Sequence, residues 1–166
     1  TQASNSDADV VQEGIFNNST IDQQAGSDGA IASVTQGGDY GDNRSNITQS
    51  GSSTATVTQM NIDPPPPASA YPGNESDITQ SGDGNDATVG QMGDDNTSAI
   101  TQSGHNNEAI VDQTGTDNAS TITQSSSGAV ADVLQDGIGN TSTVLQQDDA
   151  GGRAGVAQTG DNNDSS

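Results

Sequence analysis

Thirteen glutamines recur at short spacings: Gln12, Gln23, Gln36, Gln49, Gln59, Gln80, Gln91, Gln102, Gln113, Gln124, Gln135, Gln146 and Gln158, and from Gln80 to Gln146 every spacing is 11 residues. A primary amide carries two donor hydrogens and an acceptor oxygen on one side chain. Set above and below its own copies, it can donate to one and accept from the other. It is a poor base and a poor nucleophile, so the chemistry of this pattern is like bonding to like. Groups that could turn over a substrate do not recur beside it. Serines are abundant, but no activating base repeats next to them. His105 is the one histidine of a chain without cysteine, which leaves it no partners for a transition-metal site. No enzyme and no bound metal are expected.

A second regularity sits inside the first. Four places before each glutamine stand Ala8, Ser19, Ala32, Ser45, Ala55, Ser76, Ala87, Ser98, Ala109, Ser120, Ala131, Ser142 and Ala154, in strict alternation. Two places before it, the serine units carry Ile21, Ile47, Ile78, Ile100, Ile122 and, as the one departure, Val144. The alanine units carry Val10, Val34, Val57, Val89, Val111, Val133 and Val156. The repeat is therefore two units, about 22 residues, with two kinds of segment.

In Asn74-Glu-Ser-Asp-Ile-Thr-Gln80, residues Asn74, Ser76, Ile78 and Gln80 are two apart, so a strand points them to one face. The regular set faces inward, and the variable Glu75, Asp77 and Thr79 face water. Alternation, β-branched residues and frequent glycine exclude helix. Two places after the glutamine, Gly recurs in nine of the thirteen units, for example Gly82, Gly93, Gly104 and Gly115, and marks a turn. The expectation is all-β: a two-sheet β-solenoid of stacked strand–arc–strand repeats, amyloid-like, with about 22 residues per rung. Serine strands stack into one sheet and alanine strands into the other. Equivalent residues then repeat at about 4.8 Å, and amide ladders satisfy the inward polar groups.

Composition sets the outer limits. Only 27% of the residues are hydrophobic and 2% aromatic, and the net charge is −21. Such a composition is that of a disordered chain, but disorder gives no reason for Ser and Ala to alternate. Two arginines, no lysine and 23 acidic residues lack the clustered positive charge that phosphates need, so no nucleic-acid binding is expected. No apolar run is long enough to insert in a membrane. Loosely held divalent cations along outward Asp rows are the one cofactor class that the acidic faces would suit. No signal peptide is visible, so a secreted protein would be shown here in mature form.

These residues resemble the curlin repeat, Ser/Asn-x5-Gln-x-Gly-x-x-Asn-x-Ala-x3-Gln. Asn74-x5-Gln80-x-Gly82-x-x-Asn85-x-Ala87-x3-Gln91 matches it position by position, and so does Asn96 through Gln113. The resemblance runs over roughly residues 6–158. It implies a structural subunit of an extracellular curli-like amyloid fibre that polymerises with itself, head to tail, in the matrix of a bacterial biofilm and in adhesion. It also implies a nucleator and an outer-membrane secretion channel as partners. Against the usual subunit, the sequence as read shows no Gly-rich, export-targeting N-terminal segment, a very low aromatic content and one proline insertion.

That insertion divides the chain into repeats 6–59 and 74–158, joined by a Pro-rich loop at 60–73 with Pro64, Pro65, Pro66, Pro67 and Tyr71-Pro72-Gly73. Proline cannot donate to a ladder, so the segment leaves the sheet. It serves a lateral contact or ligand binding, or is an insertion tolerated at an arc. Residues 1–5 and 159–166 are expected to be partial strands. Asn163 and Ser165 begin a seventh serine strand, and Thr1-Gln2 fall in the phase of such a strand's last two residues. The expectation is a subunit joint built from both ends.

The alternative is a monomeric secreted β-solenoid serving as an adhesin stem or as an ice- or calcium-binding module. Gly82-Asp-Gly-Asn-Asp86 resembles one calcium nonapeptide, but the period is eleven and not nine. The outward row before the glutamines has Thr35, Thr48, Thr58, Thr79, Thr101 and Thr123, broken by Asp22, Gly90, Asp112, Leu134, Leu145 and Ala157. Read along the chain, that row is too interrupted to bind ice.

Overall fold

The computed structural model describes residues 5–38, 42–62, 73–147 and 151–166. Thr1, Gln2, Pro64 to Pro67, Tyr71 and Pro72 lie outside them. Among the described residues the chain forms strands and connections, with no helix. In chain order these are β1 (Asp7–Gln12), β2 (Asn18–Gln23), β3 (Ile31–Gly37), β4 (Arg44–Gln49), β5 (Thr54–Met60), β6 (Glu75–Gln80) and β7 (Asp86–Asp94). There follow β8 (Thr97–Gln102), β9 (Glu108–Thr116), β10 (Ala119–Gln124), β11 (Val130–Ile138), β12 (Thr141–Gln146), β13 (Arg153–Thr159) and β14 (Asp164–Ser165).

Odd-numbered strands pair in parallel into one sheet and even-numbered strands into the other. The odd sheet contains every alanine unit, the even sheet every serine unit. Pairing is in register: Ser98 lies beside Ser120, Ile100 beside Ile122 and Gln102 beside Gln124. A one-residue slip would turn each inward side chain to solvent, so the buried face holds the register. The alternation is seen directly in β8, where Ser98, Ile100 and Gln102 are buried and Thr97 and Thr101 are exposed. The fold is a two-sheet parallel β-solenoid.

Its apolar core is a thin column. Ile47, Ile78, Ile100 and Ile122 from the serine sheet meet Val34, Val57, Val89, Val111 and Val133 with their alanines from the other. Val144 closes it at 5% exposure, while Ile21 and Val156 are only partly covered. Val10, expected inside, is 43% exposed. Its strand β1 is outermost among the described residues and pairs only with β3, so its inner face is not covered as the middle faces are.

The two connections of a rung differ, where the repeat pattern had suggested one kind of turn. After a serine strand the chain leaves the sheet, as at Ser103–Asn107 between β8 and β9. After an alanine strand other than β1 the sheet continues beyond the glutamine, and Met92, Gly93 and Asp94 of β7 pair with Thr114, Gly115 and Thr116 of β9. One left-handed residue, Asp95 at φ 58°, then turns the chain into β8. Met60 likewise belongs to β5, where it pairs with Met92, and not to the inserted loop. Its neighbour Asn61 is also held, since its Oδ1 accepts from Asn74 Nδ2 at 3.2 Å. At the other end of the solenoid, Asp164 and Ser165 pair with Thr141 and Ser142, so β14 is the start of a seventh serine strand.

Candidate functional site

The repeated feature of the described residues is the set of side-chain files that run through the interior. In the alanine sheet Gln12 Nε2 donates to Gln36 Oε1 at 2.6 Å, and the file continues through Gln59, Gln91, Gln113 and Gln135 to Gln158 with links of 2.8 to 2.9 Å. In the serine sheet Gln23, Gln49, Gln80, Gln102, Gln124 and Gln146 are joined in the same sense at 2.8 to 3.1 Å. Every expected glutamine is thus in one of two ladders. The sequence separation across the alanine-sheet links is 22 to 24 residues, and 32 at the rung that holds the insertion.

Each amide also ties the two sheets together. The second hydrogen of Gln102 Nε2 goes to the Asp86 carbonyl at 3.0 Å, and that of Gln113 Nε2 to the Thr97 carbonyl at 3.0 Å. These carbonyls begin the facing strand of a neighbouring turn. One buried side chain therefore satisfies a partner along the axis and a partner across it. The amide's second hydrogen is satisfied there, where a buried unpaired donor would be costly.

An asparagine ladder runs beside the tight connection. Asn74 donates to Asn43, Asn96 to Asn74, Asn118 to Asn96, Asn140 to Asn118 and Asn163 to Asn140, at 2.9 to 3.2 Å. The same amides bond the carbonyls of Gly93, Gly115, Gly137 and Gly160 at 2.8 to 3.0 Å. Those glycines are required there: φ is 115°, 114° and 137° at Gly93, Gly115 and Gly137. A Cβ on Gly115 would sit 2.0 Å from the carbonyl oxygen of Gly137. Glycine in this file permits close backbone stacking as well as the turn expected of it.

One inward row breaks the rule that interior polar groups are satisfied. The hydroxyls of Ser45, Ser76, Ser98, Ser120, Ser142 and Ser165 are buried with no hydrogen-bond partner. A serine hydroxyl is too short to reach its copy one strand spacing, about 4.8 Å, away. Glutamine spans that distance because its amide lies at the end of two methylenes. Gln23 Oε1 is the other exposed logic of the ladder: it is the first acceptor of its file and has no partner among the described residues.

Outside, the rows are acidic and uneven. Burial, and then the neighbouring Asp117 carboxylate, hold the Asp95 carboxyl above the ordinary range. Burial, and then Asp132, do the same for Asp112. Arg44 pairs with Glu75 at 3.1 Å across β4 and β6. No cluster of three or more metal-ligating side chains occurs among the described residues. His105 accepts at Nδ1 from the Asp83 amide at 3.2 Å and is a connection residue. The outward threonines, interrupted along the chain, sort by sheet: Thr48, Thr79, Thr101 and Thr123 are consecutive on the even-numbered one.

Comparison with protein families bears directly on these files. The curlin associated repeat matches residues 73–104 and again residues 93–125. Residues 73–125 carry curlin repeats. The matched segment holds the most regular part of the ladders, from Asn74 through Gln124, and the same registers continue on both sides of it. No curated protein and no solved structure matches the chain. The curlin repeats and the β-solenoid together fit a structural, curli-type subunit.

Proposed function

We propose that this protein is the structural subunit of an extracellular curli-like amyloid fibre, polymerising end to end in a biofilm matrix and in adhesion. The observation that carries the proposal is the equivalence of rungs. Each rung holds the next by parallel backbone pairing and by amides bonded to their own copies, so a rung of a second molecule offers the same partners as a rung of the same chain. β1 and β13 each pair on one side only among the described residues, which leaves strand edges of matching pattern. Unpaired edges template further pairing. Self-association is the principal partnership, with a nucleator and a secretion channel as the further partners that curlin repeats bring with them.

The purified chain should sediment as fibres and diffract with a meridional spacing of about 4.8 Å. Electron micrographs with and without preformed seeds give the growth mode. A chain that stays monomeric at all concentrations, seeded or not, would overturn the proposal in favour of a solitary solenoid stem.

A further inference from the structure

The chain has two methionines, Met60 and Met92, and the fold brings them together. They are register partners on β5 and β7, although the insertion lies between them in sequence. Their side chains are 40% and 47% exposed, so neither is spent on the core. A thioether is a weak hydrogen-bond acceptor and no donor, and it adds nothing to the amide ladders. What it does well is ligate soft cations, copper(I) above all.

The spacing suits such an ion. Parallel in-register strands repeat equivalent atoms at about 4.8 Å. Side chains on this outer face lean toward the preceding strand of the sheet. Met60 lies over Gly37 of β3, its Sδ 2.8 Å from where a Cβ would be, and Asp112 lies over Gly90 of β7, its Oδ1 2.7 Å from such a Cβ. With the same lean, Met92 sets its sulfur one strand spacing from that of Met60. An ion held in line between two sulfurs, at about 2.3 Å from each as zinc is from sulfur, needs them about 4.6 Å apart. The sheet supplies that separation without distortion. Closed-shell copper(I) and silver(I) accept two donors in line, whereas zinc takes four.

Charge points the same way. Asp112 shares the lining of one surface hollow with Met60 and Met92. Burial, and then Asp132, hold its carboxyl above the ordinary range, so a positive charge beside it relieves a repulsion already present. No cysteine competes for a soft ion, and His105 lies in the connection between β8 and β9.

We propose that Met60 and Met92 form a clip for one soft monovalent cation, copper(I) or silver(I), bound between their thioether sulfurs. The site lies within one chain, so it stands whether or not chains join into fibres.

Silver(I), stable in air, is the probe. In the full chain labelled at the methionine ε-methyl carbons, both signals should shift together and saturate at one ion per chain, with free silver followed by an ion-selective electrode. Met92→Leu keeps the apolar bulk and removes one sulfur. Affinity should fall about tenfold or more, and the Met60 signal should stay in place at silver concentrations that saturate the wild type. Thr114 is the next outward residue of this row, the register partner of Met92 on its other side. Thr114→Met in a Met60→Leu background should therefore restore binding one rung along. Asp112→Asn should weaken binding several-fold while both methyl signals still move. His105→Ala should leave the methyl response unchanged. The proposal fails if neither signal moves, if only one does, if Met92→Leu binds as tightly as the wild type, or if Thr114→Met restores nothing. Unchanged affinity in Asp112→Asn overturns the part given to the carboxylate.

Discussion

Gln102 and Ser98 lie on the same strand, point to the same face and are equally buried, yet they stand in opposite relations to their copies. Gln102 donates to Gln124 and accepts from Gln80, both at 2.9 Å. Ser98 has Ser76 and Ser120 as its register partners and bonds to neither. Parallel in-register stacking brings every residue next to itself, but only groups whose reach matches the strand spacing draw stability from it. Glutamine and asparagine reach, glycine stacks by having nothing in the way, and serine falls short.

The file with the least tolerance should show the largest effect. Gly115→Ala places a Cβ against the Gly137 carbonyl at a φ that favours glycine. The expected loss is about 3–5 kcal/mol from strain and overlap together. Urea unfolding should show the drop, and an unchanged midpoint would mean that the glycine file is not close-stacked.

Next comes Gln102→Ala. It strands the Gln124 Oε1 acceptor, takes a side-chain partner from the Asp86 carbonyl, and removes one of two partners from the Gln80 amide. A destabilisation of about 2–3 kcal/mol is expected. Thr101→Ala, one residue away on the outer face, is the control and should cost less.

Ser98→Ala tests the comparison from the other side. Removing a buried hydroxyl without a partner should leave stability unchanged or raise it by up to about 1 kcal/mol. A loss as large as that of Gln102→Ala would show that the serine row is bonded after all.

The smallest effect concerns the outer carboxylates Asp95 and Asp112, each raised first by burial and then by a neighbouring carboxylate, Asp117 and Asp132 respectively. Asp95 and Asp112 have folded-state pKa values raised above 3.8, the ordinary carboxylate value. A raised carboxyl binds its proton more tightly when folded, so its contribution is fully present below the unfolded pKa and is lost as pH rises through the folded one. Stability should therefore increase as pH falls from neutrality towards 3.8. The double variant Asp95→Asn, Asp112→Asn should flatten that rise and be more stable near neutral pH. Melting temperatures across the pH range check both, and a steeper rise in the variant would contradict the assignment. Added salt should act in the same direction by screening the rows, and so speed self-association.

Much of this architecture is legible along the chain because it rests on local periods. The spacing of two within Asn74–Gln80 places Ser76, Ile78 and Gln80 inside, and the strict alternation of Ala and Ser assigns each unit to one of two sheets. The files of Gln, Ile and Val follow from those two facts, as does the placement of Asn163 and Ser165 at the start of a seventh serine strand. Thr1 and Gln2, the other half of that expected joint, lie outside the described residues.

Other features depend on distances that no local period contains. That Met92–Asp94 remains paired after Gln91, while Ser103–Asn107 leaves the sheet after Gln102, depends on how closely Gly93, Gly115 and Gly137 approach one another. Whether a serine finds a partner depends on its reach against the strand spacing and on what the opposite sheet presents. Met60 and Met92, separated by the insertion in sequence, become neighbours in register on the outer face. The sequence by itself determined which side chains face inward and which copies align, since both are set by periodicity. Only the tertiary structure decided which polar groups are satisfied and what the outer surface can hold, because hydrogen bonds and clefts are made by atoms brought within a few ångströms from distant parts of the chain.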